Sequence, residues 1–455
     1  MKKSILNLLV LFLISYHSYS QCWQSLSGGV EHTAAIKSDG SLWTWGSNFY
    51  GQLGSGSGDG RTIPGQVNTN TNWQSVACGL SHTLAIKTDG TLWAWGANNF
   101  GQVGNGTNVN VSTPVQIGTA SDWQSVSSAG YYSMAIKSNG TLWAWGYNND
   151  GQLGTGNNIN SNMPLQVGSE TDWQMVSAGI NHTVAIKSSG TLWAWGNNSY
   201  QQLGTGTATS TSVPVQIGTA ANWLTVDVGS HHNVALKTNG TLWTWGLNSD
   251  GRLGNGTEAS AATPTQVGVD TNWMSVTAGY SYTLAVRSTG TLWATGSNIS
   301  GQLGVGNYND NYSFTQIGTA TTWQKAAAAE SHSGGLKADG TLSTWGFNGY
   351  GQLGNNTYND ALAPVNVMCP TLGVEDNVVA NALTIYPNPA SDMLYISAEA
   401  GNVVGSISIV DMYGKRILQK KGDCSSINIS GLASGVYLIQ MNVNDDVQIK
   451  RFIKS

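Results

Sequence analysis

A chain of 455 residues with 58 glycines, 19 tryptophans and only 9% charged residues is neither a helical bundle nor a disordered polymer. Disorder needs few aromatics and a high net charge, and this composition has the reverse. The formal net charge of −5 becomes two units more negative once Lys2 and Lys3 are set aside with the leader described below. The remaining basic residues are scattered, which argues against nucleic acid as a partner, since that class needs a basic patch to displace counterions.

In chain order, residues 1–20 come first as a separate unit. Lys2 and Lys3 precede an apolar run over 5–14, and small residues Ser18 and Ser20 follow. That is the layout of a secretory signal peptide, and the run is too short to span a bilayer. Cleavage is expected before Gln21; a lipidated Cys22 is the rival, although glutamine is a poor neighbour for it. No later segment approaches 18 apolar residues, so the mature chain is expected to be exported, soluble, monomeric and without a transmembrane segment. None of Cys22, Cys78, Cys369 and Cys424 forms a C-x-x-C pair, and in an exported protein the default reading is a disulfide.

Tryptophans stand at 23, 73, 123, 173, 223, 273 and 323, a period of 50 residues without a slip. Each begins a copy of one pattern, seven copies in all, from about Trp23 to Val367. Within the copy that starts at Trp73, WQSVAC and HTLAIK read as short strands, Asp89-Gly90 is a hairpin turn, and TLWAW is a third strand. A glycine-rich segment and a polar loop lead to a short edge strand around Pro114-Val-Gln-Ile117. Four strands and no helix in about 50 residues fit a propeller blade. The 19 tryptophans open the seven copies or fill the two positions of LWxW, so every one is a repeat position. That regularity reads as wedges between stacked blades rather than a ligand cage.

Residues 82–106, HTLAIKTDGTLWAWGANNFGQVGNG, resemble the repeat of the regulator of chromosome condensation family. The likeness covers about 345 residues and implies an all-β, seven-bladed β-propeller over 21–370. A kelch propeller shares the period but places paired glycines that are not found here. Members of the resembled family include an exchange factor for a small GTPase and secreted bacterial inhibitors of β-lactamases. Cys22 lies just before the first blade and Cys369 just after the last. The two ends meet in a closed ring, so a Cys22–Cys369 disulfide is expected. Cys78 sits in a slot filled elsewhere by Ala178 and Ala278 and reads as a small core residue.

The repeat stops after Pro370, and 371–382 read as a linker. Alternating strands separated by turns over 383–455 predict a small β-sandwich. Tyr386-Pro-Asn-Pro389, Asp411-Met-Tyr-Gly-Lys415, Leu432-Ala-Ser-Gly-Val-Tyr437 and Lys450-Arg-Phe-Ile-Lys454 resemble the type IX secretion sorting domain. The resemblance implies an encounter with that machinery and a secreted or cell-surface destination.

Chemistry was sought slot by slot. Gly96-ANNF-Gly101 has the spacing of a phosphate loop, but Gln102 and Val103 follow where Lys and Ser or Thr are needed. The segment recurs in every copy, which predicts turns of positive φ instead. His32, His82, His182, His232 and His332 share one slot with Tyr132 and Tyr282, and a hydrogen bond to neighbouring backbone is expected there. A metal ring of these histidines lacks carboxylates beside it. Lys37, Lys87, Lys137, Lys187, Lys237, Arg287 and Lys337 read as snorkelling surface cations, or as a basic ring partly neutralised by Asp39, Asp89 and Asp339. Thr295 and Ser343, which replace tryptophans, and Phe314, which replaces a proline, predict imperfect packing in blades six and seven. Glu31, Asp227, Glu258 and Glu330 are each unique to one blade. No catalytic constellation, cofactor site or metal site stands outside the repeat, so an enzyme is not expected.

Specificity is expected where the copies disagree. Those slots hold Phe49, Tyr50, Phe100, Asp150, Tyr200, Asp250 and Tyr350 before Gly-Gln-Leu-Gly, Tyr147 and Phe347 after Trp-Gly, and Tyr131, His231 and Tyr280 before the histidine slot. They either contact a partner, an extracellular protein or glycan, or fill gaps between blades. Inhibition of an enzyme is the main alternative function. Nucleotide exchange is weaker, because seven copies of one length leave no inserted wedge.

Overall fold

The computed structural model describes residues 22–370, 383–398, 404–411, 416–422, 424–443 and 446–455. The expected leader 1–20, the linker 371–382 and residues 412–415 of the tail motif lie outside the described residues. The chain forms two compact units, Met1–Cys369 and Pro370–Ser455.

Each 50-residue copy folds as one four-stranded antiparallel sheet. In the second copy the strands are Trp73–Cys78, His82–Lys87, Leu92–Gly96 and Val111–Gln116, ordered along the sheet as along the chain, as in all seven copies. No helix occurs among the described residues. Thr83 faces Trp95 and Ala85 faces Trp93; Thr33 and Trp45, Ala35 and Trp43 repeat that register in the first copy. The first strands of successive sheets pack against one another around the ring, and the last packs against the first. They line a central channel, so the molecule is a seven-bladed propeller.

Alternation along the second strand joins neighbouring blades. Ala34, Ile36 and Leu42 of the first blade pack with Trp73, Ala85 and Trp95 of the second. Leu84, Ile86 and Leu92 pack with Trp123, Ala135 and Trp145 of the third. The tryptophans wedge blades apart as the period implies. Trp45, Trp95, Trp145, Trp195, Trp245 and Trp345 are fully buried, each contributing roughly 4–6 kcal/mol of transfer free energy before entropy is counted.

Three expectations are corrected in part here. The strand-end cations are less exposed than surface residues: Lys37, Lys87 and Lys187 are buried and the other four half-buried, and the Lys87 Nζ sits 4.9 Å from the Trp73 ring and 4.0 Å from Trp93. A long aliphatic stem lets an ammonium reach two indole faces, and that attraction holds it inside the blade wall. In the histidine slot the imidazoles meet side chains, His82 Nε2 3.0 Å from Ser133 Oγ and His182 Nε2 3.0 Å from Asn233 Oδ1, each on the following blade, whereas Tyr132 and Tyr282 donate to the His182 and His332 carbonyls at 2.6 Å as expected. Packing at blade six is only partly compensated, and a cavity of about 360 Å³ lined by Trp273, Arg287 and Phe314 remains there. Phe314 enters the space beside Thr295, with its ring 5.3 Å from Trp273, and Thr295 donates to the Gly251 carbonyl at 2.9 Å.

No strand is exchanged between the first and last blades, so closure rests on other contacts. Cys22 and Cys369 are joined in a disulfide with Cα atoms 6.0 Å apart. Trp45 donates to the Gln352 carbonyl at 2.9 Å, and Thr33 Oγ1 lies 2.9 Å from His332 Nε2. Cys78 and Cys424 are buried and lie outside that disulfide, and burial pushes the Cys78 thiol up to about 12.

The second unit is a small β-sandwich. One sheet orders Leu383–Tyr386, Met393–Ala398 and Ser426–Asn428; the other orders Arg416–Lys421, Val404–Val410, Gly435–Val443 and Asp446–Lys454. Leu394 and Ile427 from the first sheet pack with Ile407, Ile439 and Phe452 from the second.

Candidate binding face

The glycine-rich segment that opens each third-to-fourth-strand loop is a joint between blades. Gly96 has φ of 103°, and a Cβ there would lie 2.6 Å from the Ser81 carbonyl oxygen, so only glycine fits. The loop beyond it is rigid because Asn98 is buried inside it. Asn98 Nδ2 donates to the Thr107 and Val109 carbonyls at 2.9 and 3.1 Å, and its Oδ1 accepts from Val103 N–H at 2.9 Å. The Gln102 carbonyl then accepts from Ser133 at 2.8 Å and from Trp145 Nε1 at 2.9 Å, both on the next blade. No phosphate is needed to explain these groups, since the neighbouring blade satisfies them.

The same joint presents the variable residues. Phe100 N–H donates to Gln102 Oε1 at 3.0 Å, and Tyr50 and Tyr350 are held by Gln52 and Gln352 in the same way. Residue 97 donates its N–H to the Ser81 carbonyl at 2.8 Å, and residue 147 donates to Tyr131 at 2.9 Å. These bonds tie the third-to-fourth-strand loops to the first-to-second-strand turns. All twelve variable positions therefore lie at one end of the ring, and the Trp–Lys sandwiches lie at the other.

At that end the variable residues gather across blade junctions. Phe100 packs on Tyr131 and Tyr147, with centroids 5.2 and 5.1 Å away. Tyr200 packs on His231 at 4.8 Å. Tyr350 meets Phe49 at 6.2 Å and Phe347 at 6.1 Å. Asp150 accepts from Asn197 Nδ2 at 2.9 Å, on the next blade. Phe49, Tyr50, Tyr131, Tyr200, Tyr280 and Tyr350 are exposed, Phe49 to 75%. Phe100, Tyr147, Asp150, His231, Asp250 and Phe347 are half-buried, so these six also serve as packing between loops.

Two features escape slot-by-slot reading. Arg252 replaces the presenting glutamine in the fifth blade and cannot accept a hydrogen bond; its buried guanidinium instead pairs with the Asp250 carboxylate. Arg252 is visible in the sequence as G-R-L-G, the one copy in which the glutamine of G-Q-L-G is replaced. Glu31 and Glu330 look unpaired in the chain but approach each other across the closure. Burial and then the Glu31 charge raise the Glu330 carboxyl above its usual range. Tyr350 is hydrogen-bonded to Glu31, whose charge raises the phenol.

The other unique acids are accounted for. Asp227 lines the channel, a cavity of about 330 Å³, and accepts from Ser177 Oγ at 2.8 Å and Ala278 N–H at 2.9 Å. Glu258 hydrogen-bonds Tyr312. The histidines are turned into the blade junctions, where burial lowers His32, His82, His182 and His332 to about 3. No group of three His, Cys, Asp or Glu side chains is placed to hold a metal among the described residues.

Comparison with known proteins agrees with this geometry. The RCC1-like domain matches residues 15–284, and further regulator of chromosome condensation repeats match 275–302 and 339–379. The secretion system C-terminal sorting domain matches 384–455. No curated protein sequence matches the chain. Human WBSCR16 is similar in structure, with a TM-score of 0.66 and 22% identity over 72% of this chain and 94% of that one. Prp20p from Saccharomyces cerevisiae, studied for its binding to Gsp1p and histones, gives 0.66 and 22% over 81% and 90%. The same yeast protein bound to Kap60 gives 0.66 and 19% over 85% and 93%. At these identities the likeness shows the fold alone. With over half of its length matched by one family and its tail by another, the chain belongs to the RCC1-like domain family and carries a type IX secretion sorting domain.

Proposed function

We propose that this protein is a binding module of the cell surface or extracellular space that recognises a protein or glycan partner through the loop-bearing end of its propeller. The sorting domain directs export, and the RCC1-like propeller is a binding and regulatory fold. The observation that carries the reading is the concentration of exposed Phe49, Tyr50, Tyr131, Tyr200, Tyr280 and Tyr350 at one end. Phe49, Tyr50, Tyr200 and Tyr350 stand on loops whose backbone is held by buried asparagines, and Tyr131 and Tyr280 stand on the adjoining first-to-second-strand turns. Rigid aromatic anchors lose little entropy on binding and bury a large area. The signal peptide over 1–20 fits the same destination.

The test is affinity capture from culture medium with residues 21–370, beside a glycan array. The triple variant Tyr50→Ala, Tyr200→Ala, Tyr350→Ala is expected to lose the partner while keeping its thermal midpoint; retained binding refutes the reading. An enzyme-inhibitor role would use the same face and would show as loss of the captured partner's own activity. Exchange on a GTPase, the weaker reading, is disfavoured by a tail that sends the chain out of the cytosol.

A further inference from the structure

We propose that the junction of the seventh and first blades is a recognition site for a cationic side chain, arginine or lysine, presented by a partner polypeptide; this rests on the binding-face reading above. Glu330 and Glu31 stand in the first-to-second-strand turns of adjacent blades, both half-buried. Tyr350 reaches Glu31, and its ring is flanked by Phe49 and Phe347. Glu31 thus meets a cluster of three rings, with Glu330 across the same junction, and of the seven junctions only this one carries acids in its first-to-second-strand turns. The matching turns hold Leu80-Ser81, Ile180-Asn181 and Tyr280-Ser281.

Nothing in the described residues neutralises these charges. No ion pair among them involves Glu31 or Glu330. Arg252 is committed to Asp250. Arg61 lies back along its own strand with its guanidinium against Gly65. The seven strand-end cations lie at the opposite end, each over at least one tryptophan ring. Holding two like charges together in a half-buried place is unfavourable, as the raised Glu330 carboxyl registers. A guanidinium or ammonium would relieve that repulsion, donate hydrogen bonds to the carboxylates and lie on the exposed Phe49 and Tyr350 rings. A neutral sugar would stack on the rings but leave the charge uncompensated. The fold already uses this chemistry internally, where Arg287 lies 4.4 and 4.3 Å from the Trp273 and Trp293 rings.

The experiment uses the mature full-length chain and fluorescein-labelled tetra-arginine, tetra-lysine and tetra-glutamate peptides, followed by anisotropy at low ionic strength. Tetra-arginine is expected to bind, tetra-glutamate not. Glu31→Gln with Glu330→Gln is expected to weaken tetra-arginine by about tenfold or more, and Phe49→Ala by several-fold. The control removes two other charges from the same end, Asp310→Asn with Asp360→Asn, in slots where Asn110 and Asn160 already stand; it should change binding less than about twofold. Thermal midpoints are read for every variant, so a loss through unfolding is recognised. The proposal is overturned if wild type ignores tetra-arginine, if the glutamate pair is without effect, or if the control weakens binding equally. A captured partner that is lost with Tyr200→Ala but is indifferent to the glutamate pair overturns this proposal alone. Indifference to every variant overturns the binding-face reading as well.

Discussion

Thr83 shows how much one side chain decides. Its hydroxyl donates to the Gln52 carbonyl at 2.9 Å, which leaves only its lone pair for His32 Nε2 at 3.0 Å. His32 therefore carries a proton on Nε2, and burial, which lowers it to about 3, keeps the ring neutral. Thr83→Val keeps the shape and strands the buried imidazole N–H, so a loss of about 1–3 kcal/mol in urea unfolding is expected; an unchanged midpoint would show that the bond contributes nothing. A second residue-scale expectation concerns blade six. Thr295→Trp should collide with Phe314 and cost about 1–3 kcal/mol, and adding Phe314→Pro should recover most of it. A double-mutant cycle measures that coupling, and additivity would contradict the account of Phe314 as the replacement ring. In sequence, Thr295 and Phe314 were legible as departures but not as partners, because they stand 19 residues apart on different strands.

At the scale of the element, the second strand of each blade carries the pH response. Five blades hold a buried histidine in that strand, four of them lowered to about 3 by burial and His232 lowered well below its ordinary value. Below pH 6.5 the unfolded chain binds protons that the folded chain refuses. Stability is therefore whole above that value and falls as pH drops from 6.5 toward 3. Each ring contributes up to about 1.4 kcal/mol per pH unit. Urea midpoints at pH 7, 6, 5 and 4 should fall steeply; a flat profile would mean that the rings already titrate in the fold. The histidine slot was evident from the period, whereas its partner was not, since Ser133 and Asn233 belong to the next copy. The cations at the end of the same strand were misjudged for a related reason. A strand-end lysine has the same pattern on a surface as between two indoles, and only the stacking of the first and third strands settles it.

For the whole molecule, closure is the vulnerable step. Seven self-contained sheets share no strand across the ends, and the disulfide spans 347 residues. On the chain-entropy relation, Cys369→Ser is expected to cost about 4–6 kcal/mol, read as a lowered urea midpoint that matches the reduced wild type. The ring also sorts charge and aromatic surface by end. Tryptophan-bound cations hold one end, and exposed aromatics with Glu31 and Glu330 hold the other. The sequence by itself determined the number of blades, the four strands in each, the wedge role of every tryptophan and the separate tail, because a strict period forces equivalent residues into equivalent places. Only the packed blades show that Lys37, Lys87 and Lys187 are buried, that histidines bond side chains of the next blade, and that Glu31 and Glu330 face each other's charge. Each of those depends on a neighbour across a junction, and around a closed ring the neighbours of the first blade include the last.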